Sequence, residues 1–137
     1  MTKSFMLTID MGGALDKALS AFIEDIEQRG LRDKLLLVVT GEMGRTPKIN
    51  KDGGRDHWGK LSPLLLYGGA VKRGTVIGAS DRRGGEPDRD ACEQEHLLAT
   101  IMYSAFDIGK LRVARDMPAT LLRQIESLTP IPGALET

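Results

Sequence analysis

The chain predicts an α/β fold, a small, mostly parallel sheet with flanking helices. Three observations carry this. Leu35-Leu36-Leu37-Val38-Val39 is apolar at every position, the signature of a strand buried on both faces. Leu15, Ala18, Leu19, Phe22, Ile23 and Ile26 recur at helical spacing ahead of it. Phe5 to Ile9 alternates loosely and reads as a short strand, so the order strand, helix, strand gives one βαβ unit. With 137 residues the chain is long enough for one domain with its own core. No linker, internal repeat or low-complexity tract divides it, so residues 1–137 are expected to form a single α/β domain.

The elements follow in order. The helix through Leu15–Ile26 ends at Gly30, with Arg29 in the last turn where the dipole favours a cation. Asp33-Lys34 make a turn into the strand at 35–39. Residues 41–60 form a long polar loop with six Gly or Pro positions; loops of that length without periodicity are functional or disordered, and Trp58 favours the first. Leu61–Tyr67 reads as a second apolar strand closed by Gly68-Gly69, and Thr75–Ile77 as a short third. A polar loop spans 78–90. A helix is expected over Cys92–Phe106, with Leu97, Leu98, Ile101, Met102, Ala105 and Phe106 on its apolar side. A shorter helix follows Pro118 over Ala119–Leu128, and the tail from Thr129 is extended.

Lys plus Arg equals Asp plus Glu at 19 each, which argues against a nucleic-acid binder and removes electrostatic protection against self-association. One cysteine, Cys92, allows no intrachain disulfide and leaves the compartment open. No apolar run reaches the ~18–20 residues of a membrane span, and the first residues do not read as a signal peptide.

The chemistry-bearing residues cluster after the strand at 35–39. Thr40-Gly41-Glu42-Met43-Gly44-Arg45-Thr46-Pro47 leaves the strand, and Gly53-Gly54-Arg55-Asp56-His57-Trp58 follows. The carboxyl ends of strands are where open α/β sheets place ligands. These two strings, with Val76-Ile77-Gly78-Ala79-Ser80-Asp81-Arg82-Arg83-Gly84-Gly85-Glu86-Pro87, resemble the DUF1501 family from about Leu15 to the end of the Cys92–Phe106 helix.

The resemblance implies distant kinship with the alkaline phosphatase and sulfatase superfamily. Members are commonly exported to the periplasm and are several hundred residues long. It places Glu42 at the position of a carboxylate metal ligand, His57 at that of a histidine ligand, and Met43 where relatives carry another histidine. Asp10 stands where the family has an Asp-x-His pair, with no histidine after it. On this comparison the chain matches the C-terminal part of a larger domain, and the portion that supplies the nucleophile lies outside it.

Each residue has two readings. Glu42 either binds a divalent metal (zinc, manganese or calcium) or caps its turn. His57 is a metal ligand or general base, or a loop histidine held by hydrogen bonds; adjacent Asp56 is a catalytic candidate beside it. Arg45 and Arg55 either clamp an oxyanion or hold the loop through salt bridges to Glu42 or Asp56. Trp58 anchors the loop. His96 and Cys92 read as structural.

Three functions from different classes follow. The first is metal-assisted hydrolysis of a small phosphate or sulfate ester by Glu42, His57 and Asp10 with Arg45, Arg55 and Asp56. The second is a non-catalytic fragment or binding module that keeps the fold. The third is a metal-free carboxylesterase using Ser62 or Ser80 with His57. An exposed sheet edge and apolar helix face predict a homo-oligomer.

Overall fold

The computed structural model describes residues 3–136, and their side chains from residue 11 onward. Helix α1 runs Lys3–Gln28. The strand expected at Phe5–Ile9 is instead the start of this helix. A strand there would need a free partner edge, whereas Met, Leu and Ala around positions 6–18 extend the helical period of Leu15–Ile26 backwards. Gly12 and Gly13 are tolerated inside it, each at about 1 kcal/mol relative to alanine. The helix stops as its sequence requires. Leu31 N–H bonds the Ile26 carbonyl at 2.9 Å and Gly30 N–H bonds the Glu27 carbonyl at 3.1 Å, with Gly30 at φ +62°. This is the paired closure that a left-handed glycine permits.

A short 3₁₀ turn, Arg32–Lys34, leads into β1 (Leu36–Thr40). Strands β2 (Gly44–Arg45) and β3 (His57–Trp58) follow within the long loop, then β4 (Leu64–Gly68). β1 pairs β4 antiparallel, Leu36 opposite Gly68 through Thr40 opposite Leu64. β2 pairs β3, and β5 (Ala79–Ser80) pairs β6 (Pro87–Arg89), both antiparallel. The mostly parallel sheet and the βαβ unit are therefore corrected: the described strands form three two-stranded antiparallel pairs. A parallel neighbour needs a crossover, typically helical. Between β1 and β4 lies only the polar loop, so the chain comes back alongside in the opposite direction.

Thr75–Ile77 forms no strand; Val76 is 94% exposed between turn glycines. Helix α2 (Gln94–Ala105) falls within the expected Cys92–Phe106. It opens on a reciprocal cap. Glu93 accepts from the His96 amide, and His96 Nδ1 accepts from the Glu93 amide at 3.0 Å, which gives His96 a structural task. Phe106 turns extended, and Asp107 caps a separate helix α3 (Ile108–Val113) by accepting from the Lys110 amide at 3.1 Å. Helix α4 (Ala119–Ser127) follows Pro118 as expected. Among the described residues no helix is long and apolar enough to cross a membrane.

Among the described residues the buried apolar side chains are Ile26, Val71, Ala99, Ile108, Ile125, Ile131 and Ala134. Ile131 and Ala134 come from the extended tail, which lies along residues 70–72. Lys72 N–H bonds Ala134 O at 2.8 Å, Glu136 N–H bonds Ala70 O at 2.7 Å, and Leu135 bridges Val71. The tail is fastened to α2 through Thr100, whose side chain is fully buried. Its hydroxyl donates to the His96 carbonyl at 2.7 Å and accepts from the Ile131 amide at 2.9 Å.

Thr100→Val keeps the shape and orphans the Ile131 N–H. A buried unpaired donor costs about 1–3 kcal/mol, so the urea midpoint should fall accordingly, while Thr100→Ser recovers most of the loss. Equal midpoints for the valine and serine variants would refute the role of the hydroxyl.

Candidate functional site

The loop between β1 and β4 leaves and returns at one end of the sheet, and the β2–β3 pair stands on that end. Gly44 is the tightest point: a β-carbon there would lie 2.0 Å from the Leu61 carbonyl oxygen, so only glycine lets the two backbones approach. Next to it, Arg45 sits opposite His57 in register. Directly opposed residues share a face with β-carbons about 4.5–5.5 Å apart, so the structure brings Arg45 and His57 together. Asp56 and Arg55 precede His57 and serve the loop instead. Arg55 donates to the backbone carbonyls of Thr46 (2.7 Å) and Pro47. Asp56 accepts from the Asn50 side-chain amide at 2.8 Å, and its own N–H donates to Thr46 Oγ1 at 3.1 Å. Among the described residues neither Arg45 nor Arg55 forms a salt bridge to Glu42 or Asp56.

Glu42 and Arg45 line an open cleft of about 1500 Å³ that also takes in Ser62, Arg73, Ser80 and Arg89. It exceeds the ~300–1,000 Å³ of ordinary small-ligand pockets, so it is a trough more than a fitted socket. His57, Asp56 and Arg55 are not part of its lining. Arg73 is engaged by Glu27 at 2.9 Å, whereas Arg45 and Arg89 have no carboxylate partner among the described residues. Ser62 donates to the Gly41 carbonyl at 3.0 Å and Ser80 to the Asp81 carbonyl at 3.2 Å, so both hydroxyls are engaged by backbone. Cys92, also at the cleft, has its thiol pushed up by burial and by nearby Asp90. Such a thiol is a poor nucleophile.

Asp10 lies in α1, but its side chain is outside the described residues. Among the described residues no three His, Cys, Asp or Glu side chains gather as a metal-holding group. Glu42 lines the cleft and His57 lies outside its lining, and neither belongs to such a group among the described residues.

A repeated device, not foreseen from the residues, holds this region in shape. Asn50-Lys51-Asp52-Gly53-Gly54 and Asp81-Arg82-Arg83-Gly84-Gly85 fold alike. In the first, Asn50 Oδ1 accepts from the amides of Asp52 (3.1 Å) and Gly54 (2.9 Å). In the second, Asp81 Oδ1 accepts from Arg83 (3.1 Å) and Gly85 (2.8 Å). In both, the fourth residue is a glycine at positive φ, +76° at Gly53 and +67° at Gly84, whose N–H returns to the first residue's carbonyl. The signal was the shared Asn/Asp-x-x-Gly-Gly pattern. The two loops are locked together by Trp58, whose indole N–H donates to Gly85 O at 2.7 Å. Lys60 pairs with Glu86 and stands 5.7 Å over the Trp58 ring. Trp58 therefore anchors loop to loop.

Backbone N–H groups, Gly85 foremost and then Arg83, Glu86 and Gly84, hold the Asp81 carboxyl below its ordinary range against an opposing effect of burial. A depressed folded-state value means the stabilisation is complete above the unfolded carboxylate value and is lost as pH falls through the folded one. Protection of the Gly85 amide should therefore collapse in acid. Asp81→Asn keeps the accepting oxygen, as Asn50 shows, and should flatten that pH dependence in amide exchange. An unchanged acid titration in the variant would rule Asp81 out as its source.

Comparison with known proteins bears on this architecture. Residues 7–112 match the family model described as a protein of unknown function, DUF1501. The match spans both glycine loops, the β1–β4 pair and α2, and leaves α4 and the tail outside it. No curated protein and no solved structure was found to match. With its two loop motifs on one end of the sheet and most of its length matched, the chain belongs to the DUF1501 family.

Proposed function

We propose that this chain takes part in hydrolysis of small anionic esters, phosphate or sulfate, bound in the cleft at the carboxyl end of β1. The observation that carries the reading is that Glu42, Arg45 and Arg89 line the same cleft, both arginines being free of carboxylate partners among the described residues. A guanidinium offers paired donors that match two oxygens of a tetrahedral anion. Glu42, exposed and lining the same cleft, would accept a proton from an attacking water. His57, across the strand pair from Arg45, is the second candidate base. The motif resemblance to the alkaline phosphatase and sulfatase superfamily supports the choice of ester.

The metal that this resemblance implies has an incomplete donor set. Neither Glu42 nor His57 belongs to a group of three such side chains among the described residues, so the reading rests on anion binding by arginine. A second reading has its own support. Arg55 and Asp56, two of the four catalytic candidates, are spent on holding the hairpin. On that reading the chain binds an anionic ester without turning it over.

Hydrolysis of p-nitrophenyl phosphate and p-nitrophenyl sulfate, with and without added zinc, manganese or calcium, separates the two. Turnover is expected with at least one of these esters and should fall more than tenfold in Glu42→Gln, the usual scale of a lost proton-transfer group. Arg45→Ala should weaken binding about tenfold, as loss of a charge-assisted hydrogen bond implies. Binding by calorimetry without turnover would favour the binding module. Neither binding nor turnover would remove both readings.

A further inference from the structure

The cleft is longer than one small anion. Leu64, Leu66, Tyr67 and Gly68 all line it, so it follows β4 from end to end. A strand of that length covers about 13 Å between its first and last residues. Arg45 stands at the Leu64 end, because neighbouring Gly44 is packed on the Leu61 carbonyl. Lys72 stands past the Gly68 end, where its amide donates to the Ala134 carbonyl at 2.8 Å. Arg89 comes from β6, and the residues leading into that strand are tied to the Arg45 end by Trp58 on Gly85 and Lys60 on Glu86. Cations line the cleft at Arg32, Arg45, Lys60, Lys72, Arg73 and Arg89, against acids at Glu42, Asp90 and Glu93. Arg32 is engaged by Glu136, Lys60 by Glu86 and Arg73 by Glu27. Arg45, Lys72 and Arg89 are exposed and have no carboxylate partner among the described residues. The Lys72 end is also short of acceptors. Arg32 donates there to the Val71 carbonyl at 3.0 Å, yet its Nε is buried with no partner among the described residues, and buried donors are ordinarily paired.

We propose that the ester taken by this cleft is elongated and carries a second anionic group, bound at Lys72, at the far end from the group held by Arg45 and Arg89. The inference rests on the anionic-ester reading of the same cleft and adds to it the length and second charge of the ligand. One guanidinium fork matches one tetrahedral anion, so a single phosphate or sulfate at Arg45 leaves Lys72 unengaged beyond the other end of β4. A lysine ammonium is a point charge with three rotatable donors, which suits a terminal anion with no fixed geometry. Between the two ends the lining is apolar at Leu64 and Leu66, which suits an uncharged spacer rather than an unbroken row of charges. A ligand of this length also accounts for a cleft of about 1500 Å³, larger than the ~300–1,000 Å³ that a compact ligand needs.

Calorimetry on the whole chain tests the proposal with phosphonates, which present the anion without a bond to hydrolyse. Octane bisphosphonate has an anion at each end of an eight-carbon chain, and octylphosphonate has the same chain with one anion. The first should bind at least about tenfold tighter, the scale of one added charge-assisted hydrogen bond. Lys72→Ala should bring the two affinities together. Lys48→Ala, at an exposed lysine outside the cleft lining, should keep them apart. A measurement on the wild type alone removes dependence on the folding of a variant: with a two-carbon spacer, the second anion should give no such gain over ethylphosphonate. Equal binding of the two octane ligands overturns the second anion site, as does a gain that survives Lys72→Ala or is independent of spacer length. In each of those cases binding of the single anion leaves the anionic-ester reading standing. Binding of neither octane ligand overturns that reading and the second site together.

Discussion

The five-rung antiparallel pairing of Leu36–Thr40 with Leu64–Gly68 is the constraint from which the rest of the molecule follows. It puts Thr40 beside Leu64, so residues 41–63 must depart from and rejoin the same end of the sheet. Every motif residue from Glu42 to Trp58 is thereby confined to one place. The closest backbone contact there, Gly44 on Leu61, exists because the outgoing and incoming segments of that loop are forced alongside one another.

Two strands bury little, and the molecule offsets this locally. The tail supplies Ile131 and Ala134 to a core that β1 and β4 do not complete, and a single hydroxyl, Thr100, ties that tail to α2. The polar loops are held by hydrogen bonds rather than apolar burial. Asn50 and Asp81 do the same job with an amide and a carboxylate, because the job needs only an accepting oxygen above a left-handed glycine. The difference lies in titration, since only Asp81 can lose its acceptor to a proton.

This scaffolding also explains how the candidate site is divided. Of the polar residues in the loop, Arg55, Asp56, Asn50 and Thr46 face one another and fix the hairpin. Arg45 and Glu42 are left facing the cleft. Arg55 donates to the Thr46 and Pro47 carbonyls, whereas Arg45 lines the cleft and donates to the Arg55 carbonyl at 3.5 Å.

The sequence by itself determined what local chemistry decides. The stop of α1 at Gly30 was legible because a left-handed glycine closes the helix, and α4 after Pro118 because its apolar spacing and start signal agree. The position of β1 and the extended tail were legible for similar reasons, and so was family membership through the loop motifs. Only tertiary structure decided strand direction, since an apolar five-residue run packs equally well against a parallel or an antiparallel neighbour. It also decided that Phe5–Ile9 is helix, because a strand depends on a partner edge far away in sequence. And it gave Arg45 and Arg55, identical side chains, different surroundings: Arg45 lines the cleft and Arg55 does not.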